Sequence, residues 1–415
     1  MSSATDLHPS PDLSDPPRVV LLEGIHPAAA SLLRGQGFEV TEIRGALGPG
    51  ALAEALRGAA ILGLRSKTQV TAETLSECTD LLAIGAFCIG TNQVDLSAAA
   101  QRGIAVFNSP FSNTRSVAEL TIAEIIALSR RLFDKSSGLH AGRWDKSAAH
   151  AHEIRGRTLG IVGYGHIGSQ LSVLAEAMGM RVTFYDIAPK LPLGNAMALP
   201  SLQALLETAD VVSLHVPATP LTEGMIGAAE LAMMRPGSFL INNARGSVVD
   251  IGALAVALAS GAIGGAAVDV FPEEPAANQG AFDCPLAGLS NAILTPHIGG
   301  STEEAQENIA RDVSSKLLRF MLNGSTTTSV NVPEVDLPLL RESQHRILHF
   351  HRNVPGVLGR MHTMLAARGV NINAEFLQSK AELSYVILDV DPVEGEAVKE
   401  GLRQIPETIR VRTLW

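Results

Sequence analysis

The chain has few cysteines for its length. Cys78, Cys88 and Cys284 are the three among 415 residues, and their spacing matches no metal-ligand pattern. An odd number, with no export signal, points to reduced thiols in a cytoplasm. None of the 12 histidines forms a His-x-x-x-His or His/Cys pair with supporting context, so no metal site is expected. Positive charge is also short. Lys and Arg number 32 against 42 Asp and Glu, for a net charge of −10. That balance disfavours nucleic acid and anionic membrane as partners. It leaves room for a small anionic substrate held by a few placed cations.

A basic, apolar leader is missing as well. MSSATDLHPSPDLSDPP is not a signal peptide, and its Pro, Ser and Asp content predicts a flexible tail over residues 1–17. Between Asp250 and Asp269 charge is absent altogether: IGALAVALASGAIGGAAV. The length approaches a membrane span. The run holds four glycines and is interrupted at Ser260-Gly261, so it reads as a short buried helix, a turn and a buried strand. No membrane segment is expected.

What is present is apolar sequence in alternating pieces. Apolar residues make up 46% and charged residues 18%, enough for two or three domains with cores. From RVVLLEG to IAVFNS, strands and amphipathic segments alternate, which implies an α/β domain with a mostly parallel sheet. One long helix is expected from Asn113 to Phe133. A second alternating block starts at Thr158, with strands TLGIVG, RVTFYD, VVSLHV, SFLINNA, GAAVDV and AILTPH. After Gly300 come an amphipathic helix, STEEAQENIARDVSSKLLRFML, and a polar linker. The last seventy residues read strand, helix, strand, strand, helix, strand, the ferredoxin-like βαββαβ order.

LGIVGYGHIGSQL carries the first chemical signal. Gly163, Gly165 and Gly168 fit G-x-G-x-x-G between a strand and a helix. The first allows a tight turn, the second a close approach of backbone to pyrophosphate, and the third close packing of helix on strand. Helix-start amides and the helix dipole favour the phosphates. The next strand ends in Asp186, whose carboxylate suits a ribose 2′-hydroxyl and repels a 2′-phosphate, so NAD is favoured over NADP.

Three polar residues follow apolar strands. Arg245 comes after SFLINNA, Glu274 lies in VDVFPEEP, and His297 follows AILTP. Ligands bind at the carboxyl ends of strands in such sheets. Arg245 suits a substrate carboxylate, and His297 suits proton transfer from a hydroxyl as hydride leaves. An adjacent carboxylate would orient the ring. Alternatives remain open from the residues alone: Arg245 as a helix cap or a partner of Asp250, Glu273 in place of Glu274, His297 as an interior histidine.

GYGHIG, INNARGSVVD, AAVDVFPEEP and LTPHIGGST together resemble the D-isomer-specific 2-hydroxyacid dehydrogenases. The resemblance covers nearly the whole chain after the tail. It selects Glu274 over Glu273, makes Arg245, Glu274 and His297 catalytic, and carries cofactor contacts onto His166, Ile167, Asp186, Asn243, Ala244, Asp269, Gly299 and Gly300. It implies a Rossmann-type NAD domain (113–300) inserted in a flavodoxin-like substrate domain (18–112 and 301–337), with substrate between the lobes. LRSKTQVT, FCIGTNQVDL and FNSPFSNTRSVAEL resemble the branch that oxidises 3-phospho-D-glycerate. Arg65, Lys67 and Lys146 would then meet the phosphate, with Gly90 and Asn113 near the substrate. Residues 345–415, through HFHRNVPGVLGRMH, resemble the ACT regulatory domain. His351, Asn353 and Asn371 would contact L-serine at an interface between two copies, implying end-product inhibition and a homo-oligomer, a tetramer by family. The resemblance also leaves room for reduction of 2-oxoglutarate as a side activity. Rival functions are a dehydrogenase of 2-hydroxyglutarate, glycerate or lactate, and a non-catalytic NAD-sensing corepressor or scaffold.

Overall fold

The computed structural model describes residues 16–275, 282–338, 340 and 344–414. All but the last two residues of the expected tail lie outside them. The chain divides into two compact units. One takes in the chain up to Ser112 and from Gln306 onward, and the other runs Asn113–Ala305.

The first unit is built on five parallel strands: β1 (Arg18–Leu21), β2 (Glu39–Glu42), β3 (Ala59–Leu64), β4 (Ala83–Ala86) and β5 (Ala105–Asn108). Their order, β2-β1-β3-β4-β5, is the flavodoxin-like one. AAILGL and AIGA are apolar without alternation because both faces of β3 and β4 are covered. The helices between strands start where the sequence supplies caps: Thr71 Oγ1 accepts from Thr74 N at 3.3 Å and Asp95 Oδ1 from Ala98 N at 2.8 Å.

The second unit holds seven strands, all parallel: β6 (Thr158–Val162), β7 (Arg181–Tyr185), β8 (Met197–Ala198), β9 (Val211–Leu214), β10 (Phe239–Asn242), β11 (Gly265–Val268) and β12 (Ala292–Leu294). The order β12-β11-β10-β9-β6-β7-β8 reverses direction between β6 and β9, the switch point of a Rossmann sheet. The uncharged stretch after Asp250 is a helix, Ile251–Ala259, capped by Asp250, followed by β11. Among the described residues no helix is long and apolar enough to cross a membrane. The helix expected over 113–133 ends at Arg130, because Arg131 takes a left-handed conformation (φ 51°) and a second helix, Leu132–His140, begins there.

The C-terminal segment belongs to the first unit. It forms an antiparallel sheet of β13 (His345–Arg352), β14 (Ile372–Lys380), β15 (Leu383–Val390) and β16 (Thr408–Leu414), in the order β14-β15-β13-β16. Helices Val357–Ala367 and Gly395–Arg403 complete βαββαβ. This sheet does not stand apart from the parallel one. Leu348, Phe350, Tyr385 and Ile387 share a core with Val19, Phe107, Val313 and Phe320. Three arginines fasten the contact. Arg346 grips Asp389 through two bonds of 2.6 and 2.8 Å and donates to the carbonyls of Asn323 and Pro338, both at 3.0 Å. Arg412 donates to Met321 O at 3.0 Å, and Arg410 to Leu81 O at 2.5 Å.

Arg346 is fully buried, so Arg346→Ala leaves Asp389 as an unpaired interior charge. The expected loss is about 3–5 kcal/mol, read as lost hydrogen-exchange protection of β13 and β15. The pair replacement Arg346→Met with Asp389→Leu should recover most of it.

Candidate active site

β6 runs into the glycine turn, and its geometry separates the three glycines. Gly163 has φ +91°, and a Cβ there would lie 2.6 Å from His215 O. A Cβ on Gly168 would lie 2.3 Å from Gly163 O, so helix His166–Ala177 presses directly on the turn. Gly165 is different: nothing lies within 4 Å of where its Cβ would be. Space for a ligand is therefore kept at the middle glycine, where the first-turn amides of His166 and Ile167 point out of the helix. Asp186 follows β7 and reaches back, its Oδ2 accepting from Tyr164 N at 2.8 Å. An acid, a glycine turn and a helix start thus meet at the switch point. This set fits a dinucleotide with a free ribose hydroxyl.

Arg245, Glu274 and His297 project from the ends of adjacent strands β10, β11 and β12. His297 Nδ1 lies 2.8 Å from Glu274 Oε2. Glu274 is itself held, because Phe271 N donates to its Oε1 at 3.1 Å. Glu274, not Glu273, is the partner of His297. With Nδ1–H donating to the carboxylate, Nε2 is the ring atom left to take or give a proton. Arg245 is half-buried and donates to Ala244 O at 2.6 Å. Asp250 is a helix cap rather than its partner.

The loop carrying His297 is fixed from below by Asp269. This carboxylate is buried and accepts from Thr295 Oγ1 at 2.6 Å, Ile298 N at 2.8 Å and Gly299 N at 2.7 Å. His297 N donates to Asp269 O at 2.8 Å. The backbone of His297 is left-handed, φ 53°, which costs about 1–3 kcal/mol and persists only where the surroundings impose it. Gly299 and Gly300 are packing positions as well. Cβ atoms there would meet Asp269 Oδ2 at 3.0 Å and Asn113 Nδ2 at 2.4 Å. Asn243 turns its amide inward to Thr121 and Glu124, and Ala244 N donates to Asn242 Oδ1 at 3.2 Å. Asn113 Oδ1, Glu124 Oε1, His215 Nδ1 and Asn243 Oδ1 are buried without a protein partner. Each such atom calls for a partner, and a bound ligand is one that could supply it.

In the first unit, Arg65 follows β3 directly. Gln93 Nε2 donates to Arg65 O at 2.6 Å and Gly90 O at 3.3 Å, drawing Arg65 and Gly90 together. Lys67 is exposed, and its backbone N donates to Glu23 Oε2 at 3.1 Å. Lys146 is exposed beyond helix Leu132–His140, near the exposed Trp144. In the small sheet, His351 and Asn353 stand at the end of β13 that pairs with Leu383. Asn371 precedes β14 at the Val390 end. One chain does not bring these three together. Among the described residues no group of His, Cys, Asp or Glu is arranged to hold a metal.

Comparison with known proteins decides the family. Residues 122–299 match the D-isomer specific 2-hydroxyacid dehydrogenase NAD binding domain, and residues 347–410 match an AHAS small subunit-like ACT domain. The D-3-phosphoglycerate dehydrogenase of Escherichia coli K12 is 52% identical over 96% of this chain and 97% of its own length. The chain belongs to the D-isomer specific 2-hydroxyacid dehydrogenases. A Dictyostelium discoideum relative of the same name is also 52% identical over 96% of this chain and 97% of its own length. The NAD-complexed family member from Lactobacillus delbrueckii ssp. bulgaricus superposes with a TM-score of 0.68, covering 75% of this chain and 100% of the other, at 27% identity. As a member of this family, the chain is an NAD-dependent 2-hydroxyacid dehydrogenase with an ACT domain.

Three supporting residues of this dehydrogenase escape a sequence reading. Gly246 is one: a Cβ there would sit 2.0 Å from Phe271 C, so the Arg245 turn lies directly on the loop that carries Glu274. Gln93 is a second. His215 is a third, at the end of β9. Its Nε2 is 2.8 Å from Ser213 Oγ, and burial pushes its imidazole down to about 4. The signal for His215 is a polar ring near the end of the apolar run VVSLHV.

The unfolded chain protonates His215 near the ordinary value of about 6.5, and the folded chain does so only near 4. Between these values only the unfolded state takes the proton, so stability falls as pH falls through this window. Thermal melts of wild type and His215→Asn should diverge there, the wild type losing Tm faster on acidification.

Proposed function

We propose that this enzyme oxidises 3-phospho-D-glycerate to 3-phosphohydroxypyruvate, the first step of serine biosynthesis, and that L-serine inhibits it. The observation that carries the chemistry is the 2.8 Å contact of His297 with Glu274, whose loop lies against the turn after β10 that bears Arg245. The guanidinium of Arg245 holds the substrate carboxylate. His297 Nε2 takes the proton of the 2-hydroxyl, and Glu274 stabilises the imidazolium that forms. Bound NAD supplies the hydride acceptor. His166, Ile167 and Gly165 hold its phosphates and Asp186 its ribose. In the reverse direction His297 returns the proton.

Arg65 and Lys67 are assigned to the phosphate, with Gly90 and Asn113 bordering the substrate and Lys146 as a further cation. The names of the relatives support this substrate. A second carboxylate could use the same cations, which supports reduction of 2-oxoglutarate as a side reaction. A cytoplasmic location belongs to the same proposal and is supported by three cysteines that form no disulfide among the described residues. The test is NADH formation at alkaline pH over a panel of 2-hydroxy acids. 3-Phosphoglycerate should be the preferred substrate. His297→Ala should lower kcat/KM by about 10²–10⁴. Arg65→Ala should raise KM for 3-phosphoglycerate far more than for an unphosphorylated analogue. Equal effects on both remove Arg65 from this role.

Serine inhibition is supported by the ACT domain and by the placement of its candidate residues. His351 and Asn353 lie at one end of the small sheet and Asn371 at the other, as suits a site completed by a second copy. A homo-oligomer, proposed as a tetramer, follows. Initial rates should fall as serine is titrated in, and Asn353→Ala should shift the curve to higher serine. Rates that stay flat to millimolar serine reject the regulation and leave the dehydrogenase assignment standing.

A further inference from the structure

Helix Thr114–Arg130 packs against helix His166–Ala177 and against β10 and β11. Val117, Thr121 and Leu128 fit its buried stripe. Glu124 is there too, 3% exposed, although it is an acid. Thr121 Oγ1 donates to Val117 O at 2.9 Å, so its oxygen can otherwise only accept. The amide of Asn243 is thereby oriented. Its Nδ2 donates to Thr121 Oγ1 at 3.1 Å and to Glu124 Oε2 at 2.6 Å, which uses both of its hydrogens.

Asn243 stands one residue past β10 and two before Arg245. Next to it, Asn242 Nδ2 donates to Arg245 O at 3.1 Å. The segment that bears Arg245 is therefore tied down from two directions, and one tie ends on Glu124. Resting on the reading of Arg245 and Asn243 given above, we propose that Glu124 is a positioning residue of the dehydrogenase, which sets the Asn243–Arg245 segment through the Asn243 amide.

Glu124 supports this segment as a neutral acid. Burial pushes its carboxyl up to about 8; the Asn243 bond opposes that rise, and the Asp269 carboxylate adds to it. Asp269, from the end of β11, is the charged group that acts on it. Thr121 on its own helix and Asn243 after β10 do not titrate. Ionising Glu124 puts a second anion beside the carboxylate that anchors the His297 loop. An alkaline change in cofactor binding follows, with a source other than His297.

NADH affinity, read by fluorescence titration of the full-length enzyme between about pH 7 and pH 9.5, tests this without turnover. In the wild type, affinity should fall several-fold across this range. Glu124→Gln keeps an acceptor for Asn243 and cannot ionise, so its profile should be flat. Glu124→Leu leaves one hydrogen of the Asn243 amide without its acceptor and should weaken NADH about tenfold. The same substitution on an Asn243→Ala background should add nothing. A Gln variant that keeps the wild-type pH profile overturns the proposal, as do Leu and Ala effects that simply multiply. Should Glu124→Leu fail to fold, the Gln profile decides alone. Tm gives an independent check. The folded acid keeps its proton to about 8, whereas the unfolded one loses it near 4.5, so the wild type should lose stability relative to Glu124→Gln as pH rises through that window. An Asn243→Ala or Arg245→Ala variant that behaves as wild type strikes instead at the site reading beneath the proposal.

Discussion

The buried carboxylate of Asp269 is the constraint on which the site depends. An acid taken out of water is costly unless its lone pairs are met by donors. Here the donors are Thr295 Oγ1 and the amides of Ile298 and Gly299. All three come from the loop after β12 that carries His297, so satisfying the acid and shaping the loop are one event. The left-handed backbone of His297 is the consequence. Histidine enters this region more often than most residues but still rarely; here three hydrogen bonds and a glycine that leaves room for Asp269 hold it there. With the backbone set, the ring can reach Glu274, which a main-chain amide already aims.

The rest of the site follows the same pattern. Apolar strands end, and the first residues beyond each end carry the chemistry. The strands themselves cannot, since both faces are buried and any polar side chain there would need a partner. Close backbone contacts keep the ends in register. Gly163 lies on His215, Gly168 on Gly163, and Gly246 on Phe271. Each is a place where a methyl group would push two elements apart. The scaffold is thus stiff where the cofactor turn and the Arg245 turn are made, and open only at Gly165.

Much of this was legible in sequence because apolar runs and glycine spacing are local signals. TLGIVG and SFLINNA announced strands, and G-x-G-x-x-G announced the turn. The strands end one to three residues earlier than the runs suggest, because Asn243, Asp269 and His297 leave the sheet to serve the site. The short β8 gave no signal, having only two residues. Arg131 breaks the helix by a backbone conformation that its neighbours impose, and no residue type there foretells it. Gln93, Gly246 and Glu124 were illegible for another reason. Their roles lie in contacts with residues tens to more than a hundred positions away, and spacing does not encode those. Glu124 alone left a trace, as an acid on the buried stripe of a helix.

The small antiparallel sheet raises a different question, which is how an effector there could be felt elsewhere in its unit. A ligand shifts an equilibrium only by binding two states unequally. A module on a loose tether would give it little to work against. This one shares a core with the parallel sheet, and Arg346, Arg410 and Arg412 spend their guanidinium hydrogens on carbonyls and a carboxylate inside the join. Gly103, just before β5, allows the approach, since a Cβ there would touch Arg410 and Phe350 at 3.0 and 3.2 Å. Packing of this density has no partial slip available to it. Displacing β13 without β5 breaks buried contacts and bonds at a cost of several kcal/mol. The join therefore ties the module to the parallel sheet that presents Arg65 through a common core and buried guanidinium bonds.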